Sequence, residues 1–160
     1  MTADTIRETI PYDKSYGPTR AQIIATARTW LGTRWRHQAC LKGVGCDCIG
    51  LIAGVALDLG SPQAVAFMAR TDYRNYGRQP DPKMLLAACT DFLDPVVVGA
   101  AQAGDVLLLR FQAEPQHFAF QSGADYMIHS WAGARRVVEN RINELWRGRI
   151  VGAYSLRGTE

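Results

Sequence analysis

The sequence predicts a single α+β domain in which N-terminal helices pack on an antiparallel β-sheet. Apolar residues recur at helical spacing over Thr19–Leu31 and Asp47–Leu59, in the first half of the chain. Short apolar segments separated by turn residues occupy the second half, where they predict strands. Since the helices precede the strands and do not alternate with them, the sheet is expected to be antiparallel. The chain has 160 residues, 48% of them hydrophobic, which suits one domain with one core.

The two long helices carry start and stop signals. Thr19 followed by Gln22 forms a capping-box signature, and Gly32 is expected to end the first helix. Asp47 is the expected N-cap of the second helix, and Gly60 follows its end. Apolar residues surround this second helix, which predicts burial on nearly all sides. Further along, the sequence predicts a loop over 71–82, helices at Pro82–Phe92 and Asn143–Arg147, and strands at Val106–Phe111, Phe118–Gln121, Tyr126–Trp131, Arg136–Glu139 and Ile150–Leu156.

Charge and hydropathy exclude several classes of protein. Residues 1–18 are polar, contain no apolar signal-peptide segment and are expected to form an extended arm, so that the domain spans residues 19–157. No run of about 18 apolar residues predicts a membrane span. The net charge of +3 does not indicate a nucleic-acid-binding protein. The excess of arginines from Arg135 to Arg149 is interpreted as a solvated surface, with attraction to an acidic polymer such as the bacterial cell wall as the weaker alternative.

Cys48 is the candidate nucleophile. It lies in the first turn of the second helix, where free N–H groups and the helix dipole favour a thiolate and are expected to lower the thiol pKa. Gly50 removes side-chain bulk from the same turn, where a substrate could approach. Two alternatives stay open, a buried inert cysteine and a metal site. The metal site would combine Cys40, Cys46, Cys48 and His37, but the cysteine spacing matches no common zinc pattern. No metal or organic cofactor is predicted.

Two of the three histidines, His117 and His129, lie in predicted strands on either side of a turn near Gly123. Each is six residues from Gly123, so an antiparallel hairpin centred there would place them directly opposite each other on one face. Paired imidazoles suit a catalytic base and the group that orients it. We therefore expect His117 to act as the base for Cys48 and His129 to orient it. The alternative is two independent structural histidines.

These residues resemble the motifs of the NlpC family of papain-like cell-wall peptidases. The family's Asp-Cys-Ser-Gly-[Leu/Phe] motif at a helix start corresponds to Asp47–Leu51, and its His-containing strand corresponds to His117–Phe120. Ile128–His129 matches the segment that carries the third catalytic residue, and Gly104–Val106 matches the strand entry before the base. The resemblance covers roughly residues 23–154. It implies a papain-like fold and a thiol peptidase that cleaves peptidoglycan without a cofactor.

The phage and gene-transfer-agent branch of the family is the most similar. It shares the His37-Gln38 pair, the Gly-x-Gly-x-Asp-Cys run that begins at Gly43, and the C-terminal segment Arg149–Tyr154. The resemblance implies a virion protein at the tail tip, made in the bacterial cytoplasm, with peptidoglycan as substrate and tail-tip or hub proteins as partners. It also implies cleavage between γ-D-glutamate and a diamino acid.

The sequence departs from the family pattern at two positions. Ile49 replaces the serine after the nucleophile, and Trp35 occupies the position nearest to a tyrosine that many members have at the oxyanion site. Trp35, His37 and Asp47 are therefore candidate substrate-binding or oxyanion residues.

Two further interpretations of the function stay open: a structural tail-tip protein with a vestigial or regulated peptidase fold, and an amidase or acyltransferase on the same fold.

Overall fold

A computed structural model describes residues 17–160, which form a helical layer packed on a six-stranded antiparallel sheet. The α+β class predicted from the sequence is confirmed. The extended arm predicted for residues 1–18 lies outside the described residues except for Gly17 and Pro18, so the arm and the domain boundary stay predictions. Within the described part of the chain, no helix is long and apolar enough to cross a membrane.

The two long helices in the first half of the chain begin directly after the capping residues predicted for them. The helices are α1 (Arg20–Arg28), α2 (Cys48–Asp58), α3 (Pro62–Met68), α4 (Thr71–Arg74), α5 (Pro82–Phe92) and α6 (Glu144–Arg147). Thr19 and Gln22 form the capping box of α1, and the Asp47 side chain caps α2. Helix α1 ends three residues earlier than predicted, because the backbone N–H groups of Thr29 and Trp30 bond three residues back and tighten the chain into turns. The short helices α3 and α4 were not predicted, and α4 lies within the predicted loop over 71–82.

The strands are β1 (Cys40–Leu41), β2 (Gly45–Cys46), β3 (Leu93–Val96), β4 (Val106–Phe111), β5 (Glu114–Gly123), β6 (Tyr126–Trp131), β7 (Arg136–Arg141) and β8 (Ile150–Leu156). The main sheet has the order β3-β8-β4-β5-β6-β7, and β1 and β2 form a separate hairpin. Three strands have the predicted bounds. The β1–β2 hairpin and β3 were missed, since β1 and β2 have two residues each and β3 contains Pro95 at the edge of the sheet.

Helix α2 lies at the centre of the structure. All residues from Cys48 to Ala56 are buried, as predicted, and they pack on one face of the sheet against Leu108, Phe118 and Ile128. The opposite face of the same strands forms a second apolar cluster around Leu107, Met127 and Trp146. This alternation follows from the two-residue period of strands. The packing fixes the first turn of α2 against β5 and β6.

Candidate active site

Cys48 is the first residue of α2, and its surroundings follow from how that helix is capped. The Asp47 carboxylate accepts a hydrogen bond from the backbone N–H of Gly50 at 2.8 Å, and the Asp47 carbonyl accepts one from Leu51 at 2.9 Å. The N–H groups of Cys48 and Ile49 precede the first intrahelical donor, so they stay available at the sulfur. Both of them hydrogen-bond the Cys48 sulfur, as does the backbone N–H of Phe118.

The thiol of Cys48 is protonated at rest, contrary to the sequence-based expectation of a lowered pKa. Burial raises its pKa to about 12, and the negative charge of Asp47 acts in the same direction. Hydrogen bonds from the backbone N–H groups of Phe118, Ile49 and Cys48 lower the pKa, but by less. Desolvation therefore outweighs the helix terminus, and a thiolate here requires a base.

Gly50 is required by packing and not by substrate access, which corrects the earlier interpretation. A Cβ atom at Gly50 would lie 1.9 Å from the carbonyl oxygen of Ala39 and 3.0 Å from its carbonyl carbon. The backbone before β1 thus crosses directly over the first turn of α2. Only glycine permits this approach.

The two histidines meet, although not through the predicted register. Strand β5 pairs Phe120 with Ile128, which places His129 beside Ala119 and two residues from His117. The direct pairing was wrong because the turn lies between Gly123 and Tyr126 and is not centred on Gly123, and the register then shifts by one residue between Gln121 and Gly123. A shift of two residues preserves the face of the sheet. Nε2 of His117 consequently lies 2.7 Å from Nδ1 of His129.

Asn140 extends this pair into a chain of three side chains. Its Oδ1 lies 2.6 Å from Nε2 of His129, while its Nδ2 donates to the backbone carbonyl of Arg141 at 3.1 Å. Oδ1 can only accept, so Nε2 of a neutral His129 carries the proton and Nδ1 accepts from Nε2 of His117. In a neutral His117 the unprotonated nitrogen is then Nδ1. The hydrogen bonds thus select the tautomer that has a free basic nitrogen.

Both imidazoles are neutral near pH 7. Burial lowers the pKa of His117 well below 6.5, and the nearby His129 and the positive charge of Arg149 add to the effect. Burial also lowers the pKa of His129 to about 4, although the hydrogen bond to Asn140 opposes this shift. His117 is 4% exposed and His129 is fully buried, which agrees with desolvation as the main cause.

The predicted site residues line one groove of about 530 Å³. Cys48, 9% exposed, and His117 lie in it together. The three candidate substrate-binding residues, Trp35, His37 and Asp47, line the same groove. The structure therefore brings together five of the six residues singled out from sequence, and the sixth, His129, lies directly behind His117. Their chemical roles stay predictions.

Tyr76 is a groove residue that the sequence analysis missed. Its hydroxyl group donates to Oδ2 of Asp47 at 2.6 Å, and the same oxygen accepts from the backbone N–H of Gln38 at 2.7 Å. The Tyr76 ring also packs edge-on against His37. Burial raises the pKa of Tyr76, as does the charge of Asp47, so the phenol remains a donor. A hydroxyl group that Trp35 cannot supply thus enters the groove from the loop before α5, at a position that no local motif marks.

The remaining cysteines are packed within the fold. Cys46 is fully buried and pairs across the β1–β2 hairpin with Cys40, whose thiol donates to the carbonyl of Gly50 at 3.2 Å. Cys89 is buried in α5. Across residues 17–160, no three His, Cys, Asp or Glu side chains are grouped as a metal site would require.

Three solved structures with the same architecture are all described as NlpC/p60 domains or family proteins. The NlpC/p60 domain of the peptidoglycan hydrolase SagA matches with a TM-score of 0.59 and 20% identity, over 86% of this chain and 98% of that domain. The chain has the NlpC/p60 fold. The papain-like arrangement expected from the resemblance is therefore confirmed.

Two longer proteins contain the same NlpC/p60 fold. An NLP/P60-family protein from Staphylococcus aureus described as similar to a lipoprotein matches with a TM-score of 0.59 and 16% identity over 91% of this chain. An NlpC/P60 family protein from Bacillus cereus matches with a TM-score of 0.60 and 20% identity over 90% of this chain. The chain spans 42% and 40% of these two proteins. No protein-family model and no curated protein matches the sequence.

Proposed function

We propose that this protein is a cysteine peptidase that hydrolyses peptide bonds in the stem peptides of peptidoglycan. The observation that carries the proposal is the sharing of one open groove by Cys48 and His117, with His117 bonded at 2.7 Å to His129. A buried sulfur, a neutral imidazole and a group that orients it are the elements of thiol-based acyl transfer. The NlpC/p60 fold and the name of the SagA domain support peptidoglycan as the substrate.

The proposed reaction begins with proton transfer, because the Cys48 thiol is protonated at rest. Nδ1 of His117 takes the thiol proton as the sulfur attacks the peptide carbonyl carbon. The backbone N–H of Cys48 donates to the resulting oxyanion. The C–N bond then breaks, and the imidazolium of His117 returns its proton to the leaving amine. Water attacks the thioester with His117 again as the base, which releases the acid and restores the thiol.

His129 and Asn140 support this cycle by orientation. The Asn140 carbonyl oxygen holds the proton of His129 on Nε2, and His129 in turn accepts from His117. When His117 becomes positively charged, its Nε2–H bond to His129 becomes charge-assisted and strengthens. This hydrogen bond offsets part of the cost that burial imposes on the charged form of His117.

A finer proposal concerns the bond and the biological setting. We propose cleavage between γ-D-glutamate and a diamino acid by a phage or phage-like tail-tip protein that is carried in the virion and contacts hub proteins. Its support is the run from Gly43 to Leu51 and the segment Arg149–Tyr154, which resemble the phage branch of the family. Antibody detection of the protein in purified particles tests the location. Its absence from particles that the same cells release would contradict the tail-tip role.

Digestion of purified peptidoglycan tests the activity. We expect wild-type protein to release fragments whose masses place the cut within the stem peptide, and Cys48→Ala to release none. Release of the intact stem peptide from the glycan strand would instead identify an amidase. Masses that show transfer of the acyl group to an added amine would identify an acyltransferase. Equal, background-level release by both proteins would favour the structural alternative.

A further inference from the structure

A second groove, of about 690 Å³, adjoins the Cys48 groove and is lined by arginines. Its lining comprises Arg34, Arg36, Arg135 and Arg136, with Gly32, Trp35, Ala132 and Ala134 between them. Trp35 and Ala132 line both grooves, so one passes into the other. We call this second feature the arginine groove.

Backbone hydrogen bonds fix the arginine groove in place. The loop after α1 runs beside the turn between β6 and β7, where Arg34 bridges to Arg136 and the N–H of Trp35 donates to the carbonyl of Arg135 at 2.9 Å. The N–H of Val137 donates back to the carbonyl of Thr33 at 2.8 Å. The four arginines therefore lie on two segments that backbone hydrogen bonds hold together, and not on independent loops.

The backbone at Arg135 adopts a conformation that favours glycine. Its φ angle is 61°, in the left-handed region that non-glycine residues rarely occupy. A glycine here would form the turn with less strain, yet position 135 carries a charged side chain, which lines the arginine groove.

The charge of the arginine groove is uncompensated within residues 17–160. All four arginines are exposed, and none of them forms an ion pair with a described carboxylate. Two arginines of α1, by contrast, pair with carboxylates: Arg20 with Asp105 at 2.7 Å and Arg28 with Glu139 at 2.9 Å. Four cations along one groove repel each other and attract an anionic ligand.

We propose that the arginine groove binds carboxylate groups of the peptidoglycan strand whose peptide bond lies at Cys48. This inference rests on the proposed function, because it takes the ligand to be an extension of that substrate. Guanidinium groups match carboxylates through two parallel hydrogen bonds. The continuity at Trp35 and Ala132 lets one strand occupy both grooves. The groove is thus a subsite that increases affinity for anionic substrate without taking part in bond cleavage.

Binding to Cys48→Ala protein tests the proposal without turnover. The probes are soluble peptidoglycan fragments with free carboxylates and the same fragments with those carboxylates converted to amides. Adding Arg135→Gln and Arg136→Gln together should raise Kd for the free-carboxylate fragments about 3- to 10-fold and leave Kd for the amides unchanged. The pair Arg34→Gln and Arg36→Gln should act in the same direction. Lys83→Gln, which removes one exposed charge from α5, is the control for net charge and should change neither Kd.

Three outcomes would overturn the arginine subsite. One is an equal Kd for the arginine variants and their parent on the free-carboxylate fragments. Another is an equal rise in Kd for the free-carboxylate and the amidated fragments. The third is that the protein binds a phosphate polymer such as teichoic acid and does not bind the peptidoglycan fragments. Failure of the proposed function is separate: it appears as no cleavage by wild-type protein in spite of arginine-dependent binding.

Discussion

Nε2 of His117 lies 2.7 Å from Nδ1 of His129 although the two residues are offset by two positions along β5 and β6. Side chains that are diagonal across an antiparallel pair are about 7–8 Å apart at the backbone, a gap that two imidazoles can span. The offset also leaves Nε2 of His129 facing Asn140 in β7. Three neighbouring strands therefore contribute one residue each to a single hydrogen-bonded chain.

The first prediction concerns Asn140, whose proposed role is to fix the tautomer of His129. Asn140→Leu removes the acceptor, so we expect kcat on peptidoglycan fragments to fall on the order of 10²-fold while KM changes little. Asn140→Asp retains an acceptor for Nε2–H of His129 and should keep kcat within a few-fold of wild type. Steady-state kinetics of both variants provide the measurement. Equal losses in the two variants would show that the residue acts through packing and not through its acceptor oxygen.

The second prediction concerns pH and stability. His129 has a pKa of about 4 in the folded protein against 6.5 in the unfolded chain, so between these values only the unfolded state binds the proton. The free energy of unfolding should therefore fall as pH decreases from 6.5 to 4, by about 3 kcal/mol from this residue alone. Urea unfolding of wild type and His129→Gln at pH 7 and pH 5 measures the difference. Parallel pH dependence in the two proteins would contradict the neutral, buried imidazole.

The third prediction separates the two tyrosine–aspartate hydrogen bonds of the fold. Tyr76 donates to Asp47 in the groove, and Tyr73 donates to Asp91 in the helical layer. Tyr76→Phe and Tyr73→Phe should each lower the free energy of unfolding by about 1–3 kcal/mol, since each removes a hydrogen bond to a carboxylate. Only Tyr76→Phe should also lower kcat/KM, because Asp47 caps the helix that presents Cys48. A similar loss of kcat/KM in Tyr73→Phe would assign the effect to general destabilisation.

The fourth prediction concerns the contact between Gly50 and Ala39. A methyl group at position 50 must displace the Ala39 carbonyl, so Gly50→Ala should destabilise the protein by at least 1–3 kcal/mol, as estimated for overpacking. Gly99→Ala is the matched control, because a Cβ there meets no atom within 4 Å. Thermal unfolding of the two variants measures the difference. Equal Tm values would mean that the chain before β1 is not held over α2.

The sequence was sufficient to predict the fold class and most of the site. Helix α2 combines an Asp N-cap with apolar residues on all sides, so its start at Cys48 and its burial were both predictable. The shared face of the histidines was also predictable, because it depends only on the two-residue period of strands. The register was not, since it depends on a turn that lies between Gly123 and Tyr126 and on a one-residue shift beside it, which no residue type specifies.

Long-range features were beyond the sequence analysis. Tyr76 lies 29 positions after Asp47 and reaches it through a loop without periodicity. The position of Asn140 beside His129 depends on the pairing of β7 with β6, which local patterns do not fix. The pKa of Cys48 was predicted in the wrong direction because the helix terminus is visible in sequence, whereas the degree of burial is a property of the assembled core.

Covalent labelling of the nucleophile tests the central claim most directly. Wild-type protein is incubated with a stem-peptide analogue that carries a chloromethyl ketone at the proposed cleavage site, so that a thioether forms as chloride leaves, and the adduct is located by intact-mass and peptide mass spectrometry. We expect one adduct, on Cys48, that disappears in Cys48→Ala, forms far more slowly in His117→Ala and is unchanged in Cys46→Ala. An adduct on another residue, or one that forms equally well without His117, would contradict the claim.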